Sequence, residues 1–464
     1  MILSWIVTHI VMLFGLVLGL MLTSYILLQR RSASGTMAWL LVIILLPYIG
    51  VPLYFLLGGR KMRRRASQKN TIGLEQVAGH IGKAETNPID RLLQTYNIPA
   101  AGVGNNIKLY TTGEDIYKSF IELIESASES IYISTFVYAE DDVGRDILHR
   151  LVAKASQGIR IKLLLDGVGS LHTHRHFFGP LTKVGGHISY FMPVFHRPFR
   201  GRTNLRNHRK ILLVDGQKVL AGGTNIAIEY MGPSPLLGRW RDISFVLEGP
   251  AVEYYASVFA SDWEFASGKR LTEDSKGVSC NSDVREGSCV QIVPSGPDVP
   301  NDALYDSMLS GIYASQERLW IVTPYFVPDE SLVQALILAS RRGVDVRILL
   351  PKKSNHFLAD IVRGEYLREI QLAGGKIFLY PEGMVHAKAL LMDNEFVVLG
   401  SANIDIRSLF LNYEIAVFIY SQNTIRQSED WIGQLFLSSQ EGITQASLVR
   451  RLFEATVRIL TPLL

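Results

Sequence analysis

The amino-acid sequence predicts an α/β fold made of two duplicated halves packed as one catalytic unit, preceded by two N-terminal transmembrane helices. Three observations carry that expectation. A pentad of polar and small residues occurs twice at one spacing, similar apolar runs surround both copies, and two long stretches near the start contain no Asp, Glu, Lys or Arg.

The first pentad is His208, Lys210, Asp215, Gly222 and Asn225, and the second is His386, Lys388, Asp393, Gly400 and Asn403. The copies lie 178 positions apart and step by 2, 5, 7 and 3 residues in both. One H-x-K is noise; a whole pentad repeated in step is not. Each copy reads strand–turn–strand: Lys210–Val214 leads into Asp215-Gly216 and then Lys218–Gly222, and Ala389–Met392 leads into Asp393-Asn394 and then Phe396–Leu399. An Asx turn between apolar, β-branched runs is a hairpin signal. Residues two apart on a strand share a face, so each His looks out beside its Lys. An imidazole, an ammonium and an amide on one face suit a phosphoryl group. Exchange of a phosphodiester through a covalent intermediate needs two histidines, a nucleophile and an acid/base, and duplication supplies the pair. Asp215 and Asp393 are open to a second reading as turn formers only. The glycines and Ser401 that precede each Asn suggest close approach of a ligand to the backbone. An acid follows each copy, Asp242 and Glu414, and these are the candidates to orient the histidines through the second ring nitrogen.

Around the pentads, Ile131–Val137 matches Leu319–Tyr325, Gly158–Leu165 matches Gly343–Leu350, and Gly185–Phe191 matches Gly374–Tyr380. Helical patterns lie between them, for example Asp146–Ala155 and Glu330–Ser340. Strands alternating with helices predict a largely parallel core sheet in each half. The halves are expected at 106–265 and 301–464, with a Ser-, Gly-, Asp- and Pro-containing joint at 266–300 and a basic linker with a short helix at 60–105. The two cysteines, Cys280 and Cys289, both fall in the joint and make no disulfide framework.

Residues 1–29 and 37–59 carry no charged side chain, and each is long enough to cross roughly 30 Å of hydrocarbon. The first lacks the basic residue that opens a signal peptide. Pro47 and Pro52 leave a re-entrant hairpin open for the second. Arg60, Lys61, Arg63, Arg64, Arg65 and Lys69 follow it, against Arg30 and Arg31 in the intervening loop, which places the remainder on the cytoplasmic side. Net charge is only +4, with the basic residues clustered near the apolar segments, so the electrostatic pattern favours anionic lipid over nucleic acid. Arg197, Arg200, Arg202, Arg206 and Arg209 form an expected phosphate-gathering collar at the first half-site. His172-x-His174-x-His176 is the one metal-like spacing, and an exposed His-rich loop is the preferred reading. The basic, apolar stretch from Leu448 to Leu464 is expected to complete the core, with the membrane surface as the alternative.

The two copies resemble the HKD motif of the phospholipase D superfamily, HxK(x)4D(x)6G(S/G)xN, with no member missing. Thr323–Asp329 and the N-terminal Ala38-Trp39, Pro47, Gly50, Leu53-Tyr54, Gly58 pattern are similar to bacterial cardiolipin synthases. The resemblance implies two phospholipase D-like halves and a phosphatidyltransferase at the bacterial inner membrane, multi-pass, with its catalytic part in the cytoplasm. It implies transfer of a phosphatidyl group from one phosphatidylglycerol to another, giving cardiolipin and glycerol through a phosphatidyl-histidine. His208, Lys210, Asp215, His386, Lys388 and Asp393 form the implied catalytic set, with His208 the nucleophile and His386 the acid/base. Asn225 and Asn403 bind phosphate, Asp242 and Glu414 orient the histidines, and no metal, cofactor or nucleic acid takes part. The alternative is a membrane-bound phospholipase D that hydrolyses phospholipids to phosphatidic acid. The acceptor, which of the two histidines is the nucleophile, and the oligomeric state are left open.

Overall fold

The computed structural model describes residues 33–57, 69–77, 87–193, 205–271 and 287–458, with a few positions between 9 and 27. The first half supplies β1 (Gly102–Tyr110), β2 (Ser130–Thr135), β3 (Arg160–Asp166), β4 (His187–Phe191), β5 (Ile211–Val214), β6 (Lys218–Gly222) and β7 (Ser244–Glu248), in the spatial order β1-β7-β6-β5-β2-β3-β4. The second supplies β8 (Ser288–Ser295), β9 (Arg318–Val322), β11 (Asp345–Pro351), β12 (Lys376–Tyr380), β13 (Ala389–Met392), β14 (Phe396–Gly400), β16 (Glu414–Ile419) and β17 (Gln440–Glu441), in the order β8-β16-β14-β13-β9-β11-β12-β17. Strand for strand the orders correspond, and the halves join into one 15-stranded sheet where β1 pairs antiparallel with β8. A separate parallel ribbon joins β10 (Phe326–Val327) to β15 (Ile404–Asp405).

The expectation of a largely parallel sheet needs correcting. In the 15-stranded sheet β2-β3-β4 and β9-β11-β12 pair in parallel, and the remaining pairs within each half are antiparallel. The physical reason is local. Helices such as Asp142–Ser156 and Glu330–Arg341 provide crossovers within β2-β3-β4 and β9-β11-β12, whereas the motif strands are joined by hairpins that need none. These helices start where the sequence signals a cap: the Asp141 carboxylate accepts from Gly144 N–H and that of Asp329 from Leu332 N–H.

Both faces of the sheet are covered. Leu212, Val214 and Leu220 pack with the helices of the first half, while Ile211, Leu213 and Val219 face a cluster shared with Val290, Val397, Ile415 and Ile432 of the second. Strands buried on both faces read as unbroken apolar runs, as these do. The shared cluster makes the two halves one packed unit.

Three further readings change. β8 lies inside the supposed joint at 266–300, and β1 begins before residue 106, so both sheet-joining strands came from segments read as connections. The predicted short linker helix is Pro88–Thr95. The second apolar segment is not one rod: helices Ala33–Leu45 and Pro47–Leu57 meet at Leu46 and fold back on each other. The Trp39 and Tyr54 rings meet edge-on at 5.2 Å. A Cβ at Gly50 would sit 2.8 Å from the Val42 carbonyl oxygen, so glycine permits the crossing. At 1.5 Å per residue these helices are about 20 and 16 Å long. Among the described residues no helix is long and apolar enough to cross a membrane. Finally, helix Leu448–Arg458 does not complete the core with its apolar stripe. It turns Glu454 and Val457 inward, Glu454 pairing with Arg368, and leaves Leu448, Val449, Leu452 and Phe453 exposed.

Candidate active site

His208 and Lys210 immediately precede β5, and β5 runs antiparallel to β2, so both lie at the edge where β2 ends. His386 and Lys388 stand the same way before β13, which runs antiparallel to β9. The half-sites are stitched across the seam by matching bonds. His208 N–H donates to the Tyr413 carbonyl at 2.9 Å and His386 N–H to that of Arg241 at 2.7 Å. Tyr413 and Arg241 directly precede Glu414 and Asp242.

That exchange places each acid against the other half's imidazole. His208 Nδ1 lies 3.0 Å from both Glu414 carboxylate oxygens and 3.0 Å from the Ser401 carbonyl. His386 Nδ1 lies 2.8 Å from Asp242 Oδ2. A protonated Nδ1 held by a carboxylate leaves Nε2 with its lone pair, the tautomer a nucleophile or base requires. The small residues of the motif serve this contact rather than a ligand: a Cβ on Gly223 would fall 2.2 Å from Asp242 Oδ1. Ser401 takes that place in the second copy and donates its hydroxyl to Glu414.

Lys210 Nζ donates to the His208 carbonyl at 2.7 Å; Lys388 Nζ likewise donates to the His386 carbonyl and also lies 3.1 Å from His386 Nε2. All four side chains are buried, and each lysine acts electrostatically on both histidines, which puts the half-sites in one place. Burial, followed by opposing contributions from the acids and lysines, holds the His208 imidazole down at about 4. Burial and the Lys388 ammonium hold His386 at about 3. Both rings are therefore neutral at pH 7. Burial also lowers Lys388 to about 8 and Lys210 well below the usual lysine range. Asp242 and Glu414 offset part of that effect on both lysines, and an anion entering the site would favour their charged forms further.

Asn225 Oδ1 accepts from Val137 N–H at 3.1 Å, and the Asn403 side chain bonds Asp405. Asp215 and Asp393 lie elsewhere. Four strand residues separate Lys210 from Asp215, about 16 Å along β5. Asp215 and Gly216 have φ of 52° and 67°, the left-handed pair of a tight hairpin turn. The Asp215 carboxylate accepts from the N–H groups of Ser128, Glu129 and Ser130 at 2.7–2.8 Å, and Asp393 does the same for Gln316, Glu317 and Arg318. Their place in the catalytic set is thus corrected: they close the hairpins and tie them to the start of β2 and β9.

The arginine collar also divides. Arg206 and Arg209 are buried, and Arg197, Arg200 and Arg202 lie outside the described residues. Arg209 bonds Asp262 at 2.7 Å and Asp298 at 3.1 Å, and Lys69 pairs with Asp262 at 2.6 Å and Asp298 at 2.5 Å. Asn207 also bonds Asp262. Two cations and two carboxylates, nearly excluded from water, therefore back His208 on both sides. Sequence reasoning put Lys69 in the basic run after the second apolar segment rather than in this buried cluster, and missed Asp262 and Asp298, because pairs separated by up to 229 positions leave no local pattern. It also missed the aromatic walls, Phe136 at 5.1 Å from His208 and Tyr230 and Trp240 at 4.9 and 5.5 Å from His386. Of the histidine triplet, His174 and His176 gather with Glu140, one ligand atom from each lying within 4.8 Å of the others, and His172 does not join them.

Two H-x-K half-sites, exchanging their orienting acids across a duplicated mixed sheet, define a phosphodiester-processing site of the phospholipase D type. Comparisons with known proteins narrow this. The family model described as "Cardiolipin synthase, PLD-like domain" matches residues 120–263 and 308–436, and one described as "Phospholipase_D-nuclease N-terminal" matches 16–59. The chain is 32% identical over 463 residues to cardiolipin synthase 1 of Bacillus cereus, covering 95% of this chain and 91% of that protein. It is 31% identical over 457 residues to the major cardiolipin synthase ClsA of Bacillus subtilis, covering 94% and 95%. The chain belongs to the cardiolipin synthase family. Among solved structures, phosphatidylserine synthase of Haemophilus influenzae shares the fold, with a TM-score of 0.61 at 15% identity over 81% of this chain and 98% of that one.

Proposed function

We propose that the chain makes cardiolipin by phosphatidyl transfer between two phosphatidylglycerol molecules. The observation that carries this reading is the pair of buried imidazoles, each held at Nδ1 by an acid of the opposite half. His208 Nε2 attacks phosphorus of the first lipid, and the bond from phosphorus to the glycerol headgroup oxygen breaks. His386, having gained a proton once the phosphodiester anion sits beside it, passes that proton to the departing glycerol. Neutral His386 then takes the proton from a glycerol hydroxyl of the second lipid. That oxygen attacks the phosphatidyl-histidine, the phosphorus–nitrogen bond breaks, and cardiolipin leaves with His208 restored. One phosphodiester replaces another, so no nucleotide is needed. Lys210, Lys388, Asn225 and Asn403 hold the non-bridging oxygens, where charge builds in the transition state.

The location belongs to the same reading. The uncharged N-terminal stretches and the folded-back helices Ala33–Leu57 seat the chain in a bacterial inner membrane, and the basic run from Arg60 keeps the catalytic unit cytoplasmic. We place the boundary between halves at the β1–β8 seam. Purified protein given phosphatidylglycerol with a labelled headgroup should yield cardiolipin and free glycerol in equal amounts. Phosphatidic acid as the dominant product would replace transfer with hydrolysis.

A further inference from the structure

His208 and His386 are 8% and 4% exposed, yet their substrates are lipids whose headgroups lie in a bilayer surface. How such a buried site meets its substrate depends on the edge of the sheet where it opens. That edge is defined by the ends of β2, β3, β9 and β11, because β5 and β13 begin there. The loops and the helix start leaving it carry large apolar side chains that are exposed among the described residues. Leu171 follows β3, Phe357 and Leu358 follow β11, and Leu236 and Leu237 precede the Trp240–Asp242 segment. Phe357 is 74% exposed and Leu237 wholly so. The loop bearing Leu237 leans on the one after β12, where a Cβ at Gly383 would lie 3.6 Å from the Gly238 carbonyl oxygen, so these two loops meet at that edge. Exposed cations stand among them: Arg175 near Leu171, and Lys352 and Lys353 near Phe357. Of the neighbouring acids, Glu140 is engaged by His174 and Glu382 accepts from the Tyr380 hydroxyl. Apolar tips with interspersed cations are the composition of a surface that enters the headgroup boundary of a bilayer.

Chain continuity points the same way. Lys69 is fixed in the ion cluster behind His208, at this edge, only twelve residues after the helix that ends at Leu57. Twelve residues span at most about 40 Å. From Lys69 the chain crosses away from the site, with Ile72 buried and Val77 N–H donating to the Tyr254 hydroxyl. The uncharged N-terminal segments are therefore tethered on the active-site side of the catalytic unit.

We propose that the loop tips Leu171, Leu236, Leu237, Phe357 and Leu358 form a docking collar that seats the mouth of the active site on an anionic phospholipid bilayer. Lipids then reach the histidines by rising into the mouth without crossing water. The inference rests on the lipid reading above, but its main test reads immersion rather than product. In the full chain with C280S and C289S, single cysteines are introduced by L237C, F357C and, as a control on the opposite edge, L372C, a residue 77% exposed. Each is labelled with a polarity-sensitive fluorophore and reconstituted into vesicles of phosphatidylglycerol and phosphatidylethanolamine. Labels at 237 and 357 should shift to the blue and lose several-fold in quenching by neutral aqueous acrylamide while gaining quenching by spin-labelled lipid; the label at 372 should do neither. Equal aqueous quenching at all three positions overturns the proposal. Protection at 237 and 357 in lipid-free detergent also overturns it, in favour of a second copy of the chain as the covering partner. In a second arm, L237D combined with F357D should lower turnover several-fold on vesicles and leave turnover of dispersed short-chain phosphatidylglycerol unchanged. Equal losses on both substrates count against docking. Absence of turnover in the parent protein would remove the transferase reading and leave the fluorescence result standing.

Discussion

The first and second half-sites share a motif and a strand pattern but not their surroundings. His208 rests on a carboxylate contacted through both oxygens and on a carbonyl, and it is flanked by Asn207 and Arg209, which are locked into the Lys69–Asp262–Asp298 cluster. His386 has a single carboxylate contact, and its lysine, besides bonding the His386 carbonyl as Lys210 bonds that of His208, lies against the ring. Ala387 stands where Arg209 stands in the first copy, and aromatic rings replace the ion cluster. A duplicated motif thus sets where two imidazoles go, while the residues behind them differentiate the two. The rigidly backed ring suits in-line attack on phosphorus, and the ring packed between Tyr230, Trp240 and Lys388 suits proton transfer at a shifting oxygen. On that division rests the proposed assignment of His208 as nucleophile and His386 as acid/base.

Replacing either histidine with Ala should remove cardiolipin formation, a loss of at least about 10⁴-fold, with the protein still folded by circular dichroism. E414Q and D242N should each cost about 10²–10⁴ in kcat by allowing the wrong tautomer, with little change in KM; equal retention of activity in both would remove the orienting role. K69M should leave a buried carboxylate unbalanced and destabilise the protein by about 3–5 kcal/mol in chemical denaturation, and adding D298N should recover part of that loss. A neutral response to K69M would dissolve the contrast between the halves.

The pH response sharpens it further. A histidine at its ordinary value near 6.5 loses about thirty-fold of its neutral form at pH 5. His208 and His386, held at about 4 and 3, remain mostly neutral there. Inactivation of the substrate-free protein by an imidazole acylating reagent should therefore be nearly flat from pH 8 to 5. Because both folded-state values are depressed, their contribution to stability is complete above pH 6.5 and is lost as pH falls towards 4. The smallest effect is expected at the turns: D215N or D393N should cost about 1–3 kcal/mol of stability and little kcat in the protein that remains folded.

The motif made much of the site legible. Two residues of separation put each His and Lys on one face, the Asp-Gly pair marked the first hairpin, and repetition announced two halves. Asp242 and Glu414 could be named from position alone, but their partners could not, since each reaches over the seam to the other half's histidine. Apolar runs gave the strands without their direction, which depends on whether a hairpin or a helix follows. β8 was hidden because it follows a polar stretch and begins with Ser288-Cys289. The break at Leu46–Pro47 was open to both readings, since uncharged composition is the same for one rod and for two helices packed through Gly50.

The central claim is that one imidazole carries the lipid while the other moves protons. It is tested most directly by incubating H386A with a p-nitrophenyl phosphatidyl ester labelled in its acyl chains, whose leaving group departs without a proton from His386, then quenching rapidly and mapping the bound label by mass spectrometry. The account predicts an acid-labile phosphatidyl group on His208. Label on any other residue of that variant, or its accumulation on His386 in the mirror experiment with H208A, would contradict it.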